Sequence, residues 1–347
     1  MSALPPSTNP APATGTATAP AGSRYGVFLN VEDPDGDPRD ALAQTLLTGE
    51  LAEALGFHSV WVAEHHHSRF AIGSALMVLL AQLAARTRRI RLGTGAALLP
   101  LNDPVRVAED MAALDLLSGG RMEFGVARGG PFPAQYRHTG VASEAEARER
   151  LLEALAFIRR LWREDAVDFD GRHYRSHGLS VHPRPLQQPV PVWLASLSPE
   201  ALRLAAVEGH GLMATPSADL AKVAAAIAPE RGARPQNWRF AIARFFHCEP
   251  DHDRAVAHGV AAVRAYPQLM GVEFGAQGRP PMFRPDADDD TILANAVIGD
   301  PAHCAARLRL LQAQLGPHLL LLKPAVHAPA AAREALSLFM RDVAPAV

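Results

Sequence analysis

The sequence predicts an α/β chain folded as one (β/α)8 TIM barrel with two insertions. Three observations lead there. From Tyr25 onward, short β-branched or apolar runs alternate with stretches of helical period, the pattern of successive parallel βα units. Those runs number eight, the count at which such a sheet closes with a packed interior. At 347 residues and 48% hydrophobic content, the chain can bury a single large core.

In order, the strand candidates are YGVFLN, SVWVAE, RIRLGTGA, RMEFGVAR, VPVWLAS, GLMAT, RFAIARFFHCE and HLLLLKP. The helices between them carry their own signals. Asp103 is placed to cap a helix with Pro104 at its first position; Val107, Met111 and Leu114 share a face, and Gly119 ends it. SEAE at 143–146 reads as a capping box ahead of Leu151, Leu155, Ile158 and Trp162. Residues 163–190 read as a hairpin around Asp170-Gly171 with a Pro-rich connection, inserted between the fourth helix and the fifth strand. Residues 265–298 mix Gly, Pro and acidic residues without clear periodicity, and a loop of that length inside a compact domain is expected to be functional or disordered.

Composition excludes several classes. A formal charge of −2 offers no basic excess for a nucleic-acid backbone. Residues 1–23, rich in Ala, Pro, Ser and Thr, read as a disordered leader, because they lack the basic and apolar regions of a signal peptide. No run reaches the roughly 18 to 20 apolar residues that span a bilayer, so a cytoplasmic protein is expected, with no membrane partner. Cys248 and Cys304 form no metal or disulfide signature and read as buried structural thiols. Lysine occurs only at 222 and 323 in a chain otherwise rich in arginine.

Chemistry concentrates at the strand ends, where parallel barrels place their sites. The second strand closes on Glu64, His65, His66 and His67. His65 and His67, two apart, could begin a metal site of the HxH type. That reading requires further ligands around the same mouth, yet the later strand ends read GTGA, ARGG, LASLS, ATPS and LKPA, so no metal is expected there. These ends suit a phosphorylated planar cofactor better: Arg128 and Gly129 offer a guanidinium and free backbone N–H groups, and Ser196 and Ser198 sit at a helix start. LGTGA lacks the third glycine and the helix start of a dinucleotide site, and reads instead as a close approach of backbone to a ring.

Three stretches, GFHSVWVAEHH, RIRLGTGAALLPLNDPVRVAEDMAALDLLSGGRMEFGVARG and GDPAHCAARL, resemble the bacterial luciferase-type flavin-dependent monooxygenases. The resemblance runs from about Tyr25 to Val343 and is densest between Gly56 and Gly129. It implies a barrel, homodimeric as a rule, that takes reduced FMN from a separate flavin reductase, reacts it with O2 at C4a and oxygenates a small, apolar organic substrate. His65 then falls on the catalytic histidine, where the non-catalytic luciferase subunit has Asn. Glu64 and His66 orient it or line the rim, and His67 is loop structure. Arg128 falls on the arginine that grips the FMN phosphate, Ser196 on a serine of the same pocket, and Gly95-Ala96 on a non-prolyl cis peptide under the flavin ring. Residues 265–298 fall on a mobile lid. Departures restrict the transfer: the reactive cysteine of the luciferase subunit is Ala127 here, and the Glu and Thr beside the serine are Ala195 and Pro199, leaving Ser198 as a substitute donor. Long-chain aldehyde specificity is therefore not carried over. A deazaflavin-dependent dehydrogenase on the same barrel, and a flavin-binding protein without catalysis, stay open as alternatives.

Overall fold

The computed structural model describes residues 24–130, 133–228, 239–272, 274 and 278–347; the expected leader, 1–23, lies outside them. Its strands are β1 (Arg24–Leu29), β2 (Ser59–Val62), β3 (Arg91–Thr94), β4 (Ala97–Leu98), β5 (Met122–Ala127), β6 (Val167–Asp170), β7 (Arg175–Leu179), β8 (Val192–Leu194), β9 (Gly211–Ala214), β10 (Phe240–Cys248), β11 (Val297–Gly299) and β12 (Leu319–Pro324). The helices are α1 (Pro38–Ala54), α2 (Leu76–Arg86), α3 (Pro104–Ser118), α4 (Pro133–Arg137), α5 (Glu144–Leu161), α6 (Pro199–Glu208), α7 (Leu220–Ile227), α8 (His252–Met270), α9 (Asp289–Leu293), α10 (Pro301–Leu315) and α11 (Pro329–Leu338).

All eight expected strand segments form, and they close a parallel barrel in the order β1-β2-β3-β5-β8-β9-β10-β12, with β12 returning to β1. Alternate residues face inward, so Phe28, Trp61, Trp193, Met213, Ala241, Ala243, Leu319 and Leu321 make an interior cluster. The Trp61 and Trp193 rings meet edge to face at 5.6 Å and fill the middle of the barrel. A Cβ at Gly93 would collide with the Trp61 ring, so the glycine of GTG is a packing requirement. The neighbouring parity packs outward against the helices in a larger cluster that includes Val60, Leu92, Leu320 and Leu322.

The caps behave as their residue types dictate. Asp103 accepts from the Arg106 amide at 2.9 Å, and Gly119 closes α3 in the left-handed region at φ 71°. Ser143 accepts from the Glu146 amide at 3.1 Å, while the Glu146 carboxylate reaches back to the Ala142 amide at 2.9 Å. The hairpin is β6 with β7, antiparallel. Cys248 and Cys304 are buried and free. Among the described residues no helix is long and apolar enough to cross a membrane.

The stretch 265–298 differs from the expected loop. Residues 265–270 are the last turns of α8, which carries Pro267 inside it and ends at Gly271 with φ 62°. Proline reads as a helix breaker, and that hid the continuation. Farther on, Met282, Phe283 and Ile292 are buried, and β11 pairs with the second half of β10. β10 is therefore long because it serves three neighbours, β9 and β12 first and β11 afterwards.

Candidate active site

The mouth of the barrel is built on a shelf of small residues. Following the inward parity one step past the Trp61–Trp193 layer reaches Ala63, Gly95, Ala127 and Ala195, at the ends of four consecutive barrel strands. No large side chain rises from these positions, so a planar group can lie against backbone there. The Gly95–Ala96 peptide is cis. Gly95 donates to the Val62 carbonyl at 2.7 Å, and the Thr94 hydroxyl donates to the Gly125 carbonyl at 2.6 Å, which ties the shelf strands together.

Glu64 holds this shelf in place. Its buried carboxylate accepts from the Leu98 amide at 2.8 Å and the Asn102 side chain at 2.9 Å, and it pairs with His66 Nε2 at 2.7 Å. Those contacts fix β4, two residues beyond the cis peptide. These contacts are all to the protein's own framework, as suits a residue that orients its neighbours, because a buried carboxylate needs its acceptor sites filled. His66 is its partner, and His67 is an exposed loop residue at φ 58° with its ring 5.0 Å from His138.

His65 shares the inward parity of Trp61 and Ala63 and therefore faces the mouth. Burial pushes its pKa down to about 4, against upward pulls from Glu32 and Glu64 and with downward ones from His66 and Lys323. The imidazole is thus neutral at physiological pH and can accept a proton.

Continuing the register of β5 with β8 beyond Val126 and Leu194 sets Arg128 level with Ser196. Arg128 Nη1 is buried without a hydrogen bond, with the Glu144 carboxylate at 3.2 Å in an ion pair. Gly129 adopts φ 102°, where a Cβ would also strike the Tyr136 hydroxyl that donates to the Arg128 carbonyl. Ser196 accepts from the Ser198 amide at 3.3 Å, and Ser198 caps α6 by accepting from Ala201 at 3.2 Å. Both hydroxyl hydrogens remain to be donated.

Sequence reasoning missed the opposite wall. Lys323 is buried on the inward parity of β12, its Nζ 2.6 Å from Glu32 and over the rings of Tyr266 (4.6 Å) and Phe245 (5.1 Å). The other Glu32 oxygen pairs with His327 Nδ1 at 2.8 Å. Burial pushes the Glu32 carboxyl up, but Lys323 and His327 outweigh it and hold it below the usual range. Asn30 donates to the Tyr266 hydroxyl at 2.5 Å and so ties the end of α8 to β1. One of only two lysines, ending an apolar strand, was the available signal.

A model of the luciferase-like monooxygenases matches residues 23–318. The chain belongs to that family. The luciferase-like barrel is also the fold of its structural neighbours. The monooxygenase RslO1 of Streptomyces bottropensis is 26% identical with a TM-score of 0.82, over 93% of this chain and 99% of that one. An F420-dependent secondary alcohol dehydrogenase superposes with a TM-score of 0.75 at 22% identity, over 94% and 99%. Among curated proteins, the oxygenase component of the flavin-dependent trigonelline monooxygenase of Acinetobacter baylyi is 32% identical over 56% of this chain and 54% of its own length. Limonene 1,2-monooxygenase of Rhodococcus erythropolis is 28% identical over 84% and 78%. The chain spans little more than half the length of the first curated relatives it matches. The relatives and structural neighbours of the chain thus include proteins named for flavin and for F420, and its family is one of oxidoreductases.

Proposed function

We propose that this luciferase-like protein is a monooxygenase that uses reduced FMN and O2 to oxygenate a small, apolar organic substrate. The observation that carries the reading is the pairing, on one mouth, of a neutral inward imidazole, His65, with a flat shelf of small residues around Gly95-Ala96. FMN fits the residues present. Arg128 Nη1 is a buried donor still lacking a hydrogen bond, and Gly129, Ser196 and Ser198 add donors for a phosphate on adjacent strand ends. When bound, reduced FMN supplies the two electrons with which one atom of O2 enters the substrate and the other leaves as water.

The chain's own residues perform the remaining work. Arg128 and the serines hold the phosphate, Glu64 keeps the shelf residues in register, and His65 takes or holds a proton at the mouth. Tyr266, beside Lys323, adds aromatic surface on the far side suited to an apolar substrate. A homodimer and a separate reductase belong to the same proposal, the latter supported by a relative named as an oxygenase component. The protein would be cytoplasmic.

The test is to mix the protein anaerobically with reduced FMN, add O2, and follow flavin reoxidation and peroxide release. Reoxidation much slower than that of free flavin, with peroxide suppressed, is the expected result. Reoxidation at the free-flavin rate with stoichiometric peroxide would sink the proposal. Turnover with reduced F420 and no oxygen uptake would move the chain to its dehydrogenase relatives.

A further inference from the structure

We propose that His247, Glu249 and His258 bind one divalent cation of the zinc type between the end of β10 and the first turns of α8. His247 and Glu249 are two residues apart at the strand end, and His258 lies on α8. The fold brings them together. Glu249 Oε1 is 2.8 Å from His247 Nε2 and 2.6 Å from His258 Nδ1, and the three ligand atoms all lie within 4.8 Å of one another.

Two imidazoles and a carboxylate are the donor set of a three-ligand zinc site that keeps a fourth position for water. Bonds of about 2.0 to 2.2 Å place tetrahedral ligand atoms about 3.3 Å apart, so each imidazole nitrogen would draw back from Oε1 by well under 1 Å while the two nitrogens settle at a similar spacing from one another. The surroundings favour this. Arg254 Nη2 sits 3.3 Å from the other carboxylate oxygen, Oε2, which leaves Oε1 turned toward both rings, as outer-shell partners of metal ligands do. The Arg254 side chain is 69% exposed, and its opposing charge is screened by solvent. Side-chain exposure rises from 3% at His247 through 18% at Glu249 to 55% at His258, giving a closed floor and an open outer face where water can complete the shell.

The competing account is a carboxylate shared by two imidazoles alone. That arrangement needs an N–H on each facing ring nitrogen, whereas a cation needs both nitrogens bare, so the two accounts call for opposite ring tautomers. The ion would also fasten the start of α8, the helix whose far end carries Tyr266 and Met270 to the mouth.

The experiment is calorimetric titration of the chelator-treated full chain with Zn2+, repeated with Co2+ while recording visible absorption. Glu249→Gln and the exposed His258→Ala variant are compared, with circular dichroism to verify folding. One ion per chain is expected, with a Zn2+-dependent rise in melting temperature. Each variant should weaken binding at least about tenfold, since losing even an outer-shell partner costs 10- to 100-fold. The other histidines, of 15 in the chain, supply the background that His258→Ala retains. Zn2+ binding of equal stoichiometry and affinity in His258→Ala, or no binding by the parent, overturns the site and leaves an ion pair only.

Discussion

His65 and His67 lie two residues apart yet meet different surroundings, and chemistry follows the surroundings. His65 faces the mouth and is held neutral, whereas His67 is exposed in the left-handed region. His65→Ala should leave FMN affinity and melting temperature nearly unchanged and lower oxygenated product about 100-fold or more, the scale of a positioned acid or base. His67→Ala should cost less than about tenfold. Product assays beside a flavin titration check both, and the reverse ranking would reassign the histidine. Arg128→Ala should weaken FMN by about 1.5 to 3 kcal/mol, because a charge-assisted phosphate contact goes. An unchanged flavin Kd would remove Arg128 from the site. Lys323→Met strips a buried carboxylate of its nearest cation, and breaking such a pair costs about 3 to 5 kcal/mol. Denaturant unfolding should show that loss, with Lys323→Met/Glu32→Gln recovering most of it; a double variant as weak as the single would mean that packing, not charge, dominates.

At the scale of elements, the short strand β4 depends on a side chain from just past the end of β2. Its Leu98 amide has a Glu64 carboxylate oxygen as partner at 2.8 Å. Glu64→Ala should therefore cost about 1 to 3 kcal/mol, the penalty for a buried donor left unsatisfied. Flavin affinity should fall with it because the shelf loosens. Intact stability together with lost turnover would instead make Glu64 a chemical group of the site. Helix α3 and the hairpin were legible because their signals are local: an Asp-Pro start, a glycine stop, an Asp-Gly turn. The end of α8 and strand β11 were not. Pro267 interrupts the helical signature without ending the helix, and three residues of β11 form a strand only because β10 extends beyond its barrel neighbours.

Across the whole molecule, burial keeps several histidines neutral. The pKa values of His58, His65 and His210 are each pushed down to about 4, chiefly by burial, with neighbouring arginines adding to the effect at His58 and His210; that of His318 is lowered for the same first reason. The unfolded chain binds protons at these groups near pH 6.5, whereas the folded chain resists until about 4. Their contribution to stability is therefore full above about pH 6.5 and lost as pH falls toward 4. Melting temperature should decline steadily from pH 7 to 4.5, and His210→Gln should flatten the slope. A melting temperature constant over that interval would mean that the imidazoles titrate alike in both states.

The sequence by itself determined the barrel, its eight strands and the strand ends that carry the candidate site, because period, turn residues and caps act within a few neighbours. It also placed His65, Arg128 and Ser196 at the carboxyl ends of their strands, since a strand's end is a local property. Only the tertiary structure decided what those residues face. Glu64 became a bracket for β4, Ser198 a helix cap, and Lys323 the partner of a glutamate 291 positions earlier in the chain, at Glu32. Such partnerships depend on which strands close next to one another, and ring closure of β12 onto β1 is a long-range event that no local pattern encodes.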